Sequence, residues 1–223
     1  MTRFIFVRDE TNVVRVPAGP VELAGNLQIP SQATGMVLFA HGSGSGRHSP
    51  RNQFVAAALN QAGLATLLLD LLTAEEEEVD RYTAELRFDV DLLARRLIAA
   101  ADWVLAEPAT RSLRLGFFGA STGAAAALIA ASERPDQTGA VVSRGGRPDL
   151  AGPALARVRA PTLLIVGSLD VPVIELNQRA AARLYVEKRI EIVPGASHLF
   201  EEPGALEEVA RLASEWFTRY LAG

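Results

Sequence analysis

The chain has no cysteine and only three histidines among 223 residues. Without a thiol it cannot form a disulfide, a thiolate zinc site or a cysteine nucleophile. His41, His48 and His198 form neither an H-x-x-x-H nor an H-x-x-x-x-H spacing, so they do not supply the protein ligands that tetrahedral zinc requires. Blocks of positive charge are also missing. Basic residues come in ones and twos, as at Arg95-Arg96 and Lys188-Arg189, and the net charge is −4 with a pI near 5.5. That balance argues against a nucleic-acid partner, which requires a basic face. Long apolar runs are absent too. Met1 to Val16 lacks the apolar core of a signal peptide, and Ala124 to Ala131 falls far short of the ~20 apolar residues of a membrane span. The expectation is a cytoplasmic protein with no membrane partner.

Hydrophobic residues make up 49% and charged residues 22%, the balance of a globular domain. The length suggests one large domain covering residues 1–223. The first 30 residues alternate around Pro17, Gly19 and Pro20, predicting short antiparallel strands. Apolar runs at Met36–Ala40, Leu64–Asp70, Leu113–Phe118, Ala140–Val142, Pro161–Val166 and Arg189–Val193 read as further strands. Helices are predicted at Asn52–Gly63, Thr122–Ser132 and Ile174–Leu184, with a long one through Leu86, Leu93, Leu97 and Val104 and a terminal one through Leu206, Val209, Ala213 and Phe217. The acidic run Glu75–Glu78 reads as a loop. Alternating strands and helices imply an α/β fold with a mostly parallel sheet covered by helices on both faces.

The informative segment is Gly119-Ala120-Ser121-Thr122-Gly123, directly after an apolar strand and before a helix. A serine on a sharp strand-to-helix turn is held with its hydroxyl exposed, and flanking glycines remove clashes there. The helix N-terminus then aims free N–H groups at developing negative charge. A random chain of this composition gives about 0.07 Gly-x-Ser-x-Gly matches, so chance is a poor account of this one.

Such a serine needs a base and an orienting acid, in the chain order Ser, Asp, His. Asp170 follows the apolar strand ending at Val166, and His198 lies in the loop after the last strand. Asp170 could instead cap the helix that Pro172 begins, and His198 alone could be an ordinary surface histidine. Asp149 is the alternative acid, although Pro148 before it suggests capping there as well. The loop His41-Gly42-Ser43-Gly44-Ser45-Gly46-Arg47 matches no nucleotide fingerprint. Its reading here is the second half of an oxyanion hole, formed by the backbone N–H groups of Ser43 and Thr122. If Ser121 and His198 work together, Ser121 Oγ should lie within about 3.2 Å of a ring nitrogen, with looser spacing before substrate binds.

At these residues the chain resembles an α/β-hydrolase, and specifically the dienelactone hydrolase-like family. The resemblance rests on His41–Gly46, Gly119–Gly123, Val166–Asp170 and Gly195–Phe200. It is nearest to a bacterial subgroup found alone or fused to a phosphoribosyltransferase domain, through Arg47–Asn52, Leu69–Thr73 and Ser143–Asp149. Dienelactone hydrolases proper use a cysteine nucleophile; this chain has a serine in its place. The resemblance implies hydrolysis without metal or organic cofactor, and the short Val142–Pro161 interval implies no large lid.

The expected function is a serine hydrolase cleaving an ester, thioester or lactone. Ser121 would attack, His198 relay the proton and Asp170 orient His198. A non-catalytic, partner-binding hydrolase fold and an acyltransferase are the alternatives. His48, Arg51, Arg144 and Arg147 are candidate contacts for an anionic small-molecule acyl substrate, because guanidinium groups grip carboxylates in bidentate fashion. Structural ion pairs or plain solvation are the bland alternatives for the same arginines.

Overall fold

The first two strands are built differently from most of those that follow. In the computed structural model, which describes residues 9–222, β1 (Thr11–Ala18) and β2 (Val21–Gln28) form an antiparallel hairpin. The part of the N-terminal reading that falls on residues 1–8 lies outside the described residues. In β1 the inward Val14, Val16 and Ala18 alternate with exposed neighbours, as expected for a sheet with one wet face. The later strands β3 (Gly35–Ala40), β4 (Leu64–Leu69), β5 (Arg114–Ala120), β6 (Thr138–Arg144) and β7 (Thr162–Gly167) are buried along nearly their whole length. Their continuous apolar runs suit a parallel sheet covered on both sides. An eighth, half-exposed strand β8 (Lys188–Val193) closes one edge. The order is β1-β2-β4-β3-β5-β6-β7-β8, parallel from β4 to β8.

Helices α1 (Pro50–Gln61) and α6 (Ala205–Leu221) cover one face, where Val55, Leu59, Val209 and Phe217 meet Phe39 and Phe118. The opposite face carries α3 (Val90–Ala106) and α4 (Gly123–Glu133), with Leu97, Ala101 and Leu128 against Leu38 and Phe117. A further helix, α5 (Val171–Ala181), links β7 to β8. The β6–β7 connection holds only a 3₁₀ segment, Pro148–Arg157, kinked at Gly152. No large lid covers the sheet there, as expected. Among the described residues no helix is long and apolar enough to cross a membrane.

The acidic run is not a loop. Glu75–Glu78 lies in helix α2 (Ala74–Thr83), which begins with a reciprocal capping box between Thr73 and Glu76. Negative side chains in a first turn complement the helix dipole, a signal that apolar periodicity cannot carry. Glu76 also receives Arg96 Nη1 at 2.6 Å, and Arg96 donates to the Leu71 carbonyl. The Arg96 hydrogen bond holds the Glu76 carboxyl below the usual range. The long central helix starts later than its periodicity suggests, because Asp89 accepts the Leu92 N–H as N-cap and Leu86–Phe88 forms a separate 3₁₀ turn.

His41 fastens the end of β3 to the end of β4. Its Nε2 accepts the Leu71 amide at 2.9 Å, so the ring proton sits on Nδ1, which donates to the Gly42 carbonyl at 2.9 Å. Burial pushes its pKa below 6.5, against the raising effect of the Gly42 carbonyl, Asp70 and Glu77.

Two outcomes follow from these contacts. Arg96→Ala strands a partly buried Glu76 carboxylate and should lower unfolding stability by about 3 kcal/mol, read by urea denaturation. The folded chain holds His41 neutral while the unfolded chain protonates near pH 6.5. The unfolded state therefore binds more protons below that pH, and stability falls as pH drops from 6.5 toward 5. His41→Gln should flatten that slope between pH 7 and 5, and an unchanged slope would exclude His41 as its source.

Candidate active site

The loops that carry the candidate residues lie at the carboxyl ends of the parallel strands, where open α/β sheets place their ligands. The central one is the turn from β5 into α4. Ser121 sits there at φ +51, a left-handed conformation that non-glycine residues rarely adopt. Neighbouring contacts hold it in place: its amide donates to the Arg144 carbonyl at 3.3 Å, and its carbonyl accepts the Arg147 amide at 2.9 Å. The flanking glycines are needed for close approach. A Cβ on Gly119 would lie 2.4 Å from Ala124 Cα, and one on Gly123 would lie 2.1 Å from the Ala40 carbonyl oxygen. Any side chain at either position would push α4 off the sheet.

The loop after β3 packs directly onto this turn. A Cβ on Gly42 would come within 2.8 Å of Ser121 Cβ, and the Ser43 and Thr122 hydroxyls are 3.2 Å apart. Among the described residues neither the Ser43 nor the Thr122 backbone N–H has a hydrogen-bond acceptor. Asp70 holds this loop by accepting the Arg47 amide at 2.7 Å and pairing with the Arg47 guanidinium.

Asp170 occupies the N-cap position of α5 but makes no capping bond with its side chain. Its Oδ2 instead accepts from His198 Nδ1 at 2.6 Å. The capping alternative for Asp170 is therefore not realised, and the carboxylate orients the imidazole. Asp170 is largely buried, whereas His198 is 40% exposed. The two loops lock together: Ser168 Oγ accepts the Gly195 amide at 2.8 Å, and the Leu169 amide donates to the Ala196 carbonyl at 3.0 Å. Among the described residues Ser121 Oγ makes no hydrogen bond, to His198 or otherwise. The Asp–His pair is formed, while the Ser–His contact is open, as such contacts often are before substrate tightens them.

The alternative acid, Asp149, is engaged elsewhere. It takes Arg147 in a bidentate pair, Nε to Oδ1 at 2.9 Å and Nη2 to Oδ2 at 2.8 Å, which raises the Arg147 pKa. Arg51 pairs with Glu201 at 2.8 Å, and His48 is exposed. Ion pairing thus accounts for Arg147 and Arg51, but not for Arg144. Arg144 is buried, 8% exposed, and its guanidinium forms no hydrogen bond or ion pair among the described residues.

Two bracing residues carry no motif and escaped the sequence reading. Asn177, fully buried in α5, donates to the Gly146 carbonyl at 3.0 Å and so steadies the β6 loop. Glu202 accepts the Ser197 amide at 3.1 Å beside His198, and the Ser197 hydrogen bonds hold its carboxyl below the usual range. An asparagine inside a helix and a glutamate in a surface turn give no local signal; only their neighbours do. A small crevice flanks the 41–45 loop between Asp70, Leu72, Asp80 and Arg87. Ser121, Asp170 and His198 do not line it. Among the described residues no three His, Asp or Glu side chains converge to hold a metal.

The model of the dienelactone hydrolase family matches residues 24–221. A crystal structure described as a dienelactone hydrolase from Anabaena variabilis is 63% identical, with TM-score 0.94, covering 95% of this chain and 98% of that one. A Xanthomonas campestris structure, described as a serine hydrolase without lid, shares the fold at 20% identity and TM-score 0.77, with 99% of each chain covered. Two curated relatives from Mycobacterium tuberculosis, both named "Putative phosphoribosyl transferase", are 57% identical over 217 residues. These residues are 97% of this chain and 48% of each relative, so the chain spans about half their length. Family and fold together support hydrolase activity. This chain, with a serine in the turn between β5 and α4, belongs to the dienelactone hydrolase family.

Proposed function

We propose that the chain is a serine hydrolase that cleaves a carboxylic ester, thioester or lactone through an acyl-enzyme intermediate. The observation that carries the reading is the Asp170–His198 pair at 2.6 Å, built on the carboxyl ends of β7 and β8, the same end of the sheet at which the β5–α4 turn presents Ser121. In this reading His198 Nε2 takes the proton from Ser121 Oγ as that oxygen attacks the substrate carbonyl. Asp170 fixes the tautomer with the proton on Nδ1 and stabilises the imidazolium that forms. The acceptor-free amides of Ser43 and Thr122 stand where the carbonyl oxygen gains charge, each worth on the order of 10²–10³ in rate. His198 then returns the proton to the leaving group, and water repeats the sequence on the acyl-enzyme. The name of the Mycobacterium tuberculosis relatives belongs to proteins about twice as long, and the hydrolase reading is confined to the segment shared here.

A fluorophosphonate probe should label the wild-type protein at Ser121, and Ser121→Ala should abolish labelling. Labelling that persisted in that variant would remove Ser121 as nucleophile. Asp170→Asn preserves shape but inverts the tautomer, so kcat for a p-nitrophenyl ester should fall by about 10³–10⁴ while the melting temperature changes little. A kcat within a few-fold of wild type would show that Asp170 is not the orienting acid.

A further inference from the structure

The turn that carries the Ser43 amide is fastened at both ends but only lightly in the middle. His41 holds its start through the Leu71 amide, and Asp70 holds its end through the Arg47 amide. Between them the Ser45 amide closes the turn on the Gly42 carbonyl at 3.2 Å, with Gly44 at φ +68. Among the described residues Ser43 makes hydrogen bonds outside this turn only through its hydroxyl. That hydroxyl donates to the Arg87 carbonyl at 3.4 Å and lies 3.2 Å from the Thr122 hydroxyl. Both distances are long for bonds between oxygens. The hold on Ser43 is therefore sensitive to where the Arg87 carbonyl stands.

Apolar packing does little to place that carbonyl. It belongs to the Leu86–Phe88 turn, which has no buried residue, and the helix before it, α2, buries only Asp80. Val79, Tyr82 and Phe88 on the same segment are exposed. Polar contacts place it instead. The Asp80 side chain is 1% exposed, and its Oδ1 accepts the Leu86 amide at 2.7 Å and the Arg87 amide at 3.3 Å. Its Oδ2 accepts Arg87 Nε at 2.5 Å, and Arg87 Nη2 donates back to the Asp80 carbonyl. One buried carboxylate thus folds residues 86–88 back over the end of α2 and presents the Arg87 carbonyl to Ser43. A carboxylate buried so fully keeps its partners, because an unpaired charge there is strongly disfavoured. Ser43, Asp80 and Arg87 all line the small crevice between the two segments, and the Ser43–Arg87 bond spans it.

Resting on the hydrolase reading above, we propose that Asp80 is a positioning residue for the reaction. Through Arg87 it fixes the carbonyl that receives the Ser43 hydroxyl, and so keeps the Ser43 amide aimed at the oxygen that gains charge. Asp80 acts through Ser43 and takes no part in proton transfer.

Steady-state kinetics with p-nitrophenyl butyrate test this. Acylation and deacylation both pass through an oxyanion, so kcat reports the hole whichever step limits. Asp80→Asn should lower kcat about tenfold with KM within about twofold of wild type, the loss expected when one hydrogen bond behind an oxyanion donor loosens. Ser43→Ala should do the same. Because the two residues act in one chain of contacts, the double variant should also lose about tenfold rather than about a hundredfold. A kcat close to wild type in Asp80→Asn, a change in KM alone, or losses that multiply in the double variant overturns the proposal. Arg87→Gln takes the place of Asp80→Asn in this cycle if the latter does not fold. Amide exchange followed by NMR separates the proposal from the hydrolase reading. The Ser45 amide, which closes the turn, should exchange about tenfold faster in Asp80→Asn, while the Gly195 amide near His198 is unchanged. If wild type neither cleaves the ester nor takes up a fluorophosphonate, the hydrolase reading fails, and faster Ser45 exchange still upholds the tie from Asp80 to the turn. Unchanged Ser45 exchange overturns that tie even in an active enzyme.

Discussion

The approach of helix α4 to the sheet is the contact on which the rest of the site depends. Gly119 and Gly123 let the helix start against β3 and β5 at distances where a Cβ would meet backbone atoms. That closeness forces a turn of minimal length, and Ser121, in the middle of it, takes up the left-handed conformation. Strain at one residue persists because its neighbours over-determine it: Ser121 is tied through its own amide and carbonyl to the β6 loop. The same closeness brings the 41–45 loop onto the turn, so that two acceptor-free amides stand beside the serine without any side chain being recruited.

The Asp170–His198 half is organised by other means. Here the loops after β7 and β8 bind one another through Ser168, Leu169, Gly195 and Ala196. The parallel pairing of β7 and β8 sets the spacing of these loops, and their backbone hydrogen bonds fix the histidine ring against the carboxylate. The Ser121 turn ends β5 and the Asp170–His198 pair ends β7 and β8, with β6 between, so an adjustment across that strand closes the Ser–His contact. An enzyme can obtain such an adjustment from substrate binding.

Charge is distributed unevenly around this centre. Arg47, Arg96 and Arg147 each answer a carboxylate, and their task is to hold loops and a helix in place. His41 does similar work as a neutral ring, bridging β3 and β4 through two backbone groups. Against that background the unmatched Arg144 stands apart. The two kinds of arginine cannot be told apart by residue type, only by what each guanidinium meets.

The strand–helix alternation, the turn at Ser121 and the chain order of Ser121, Asp170 and His198 were legible in the sequence. Each depends on residues close together in the chain: apolar runs of one period, or glycines two positions from a serine. The helical state of Glu75–Glu78 was also written locally, in Thr73 and Glu76, but as a cap rather than a periodicity. Tertiary structure alone decided whether Asp170 caps a helix or faces His198, and whether Asp149 is free or held by Arg147. It also decided which arginine is left unpaired, and it placed Asn177 and Glu202 as braces. These are questions of partner choice between segments distant in the chain. A carboxylate or guanidinium has the same local sequence signal whichever partner the fold brings to it, so the answer exists only once the strands are side by side.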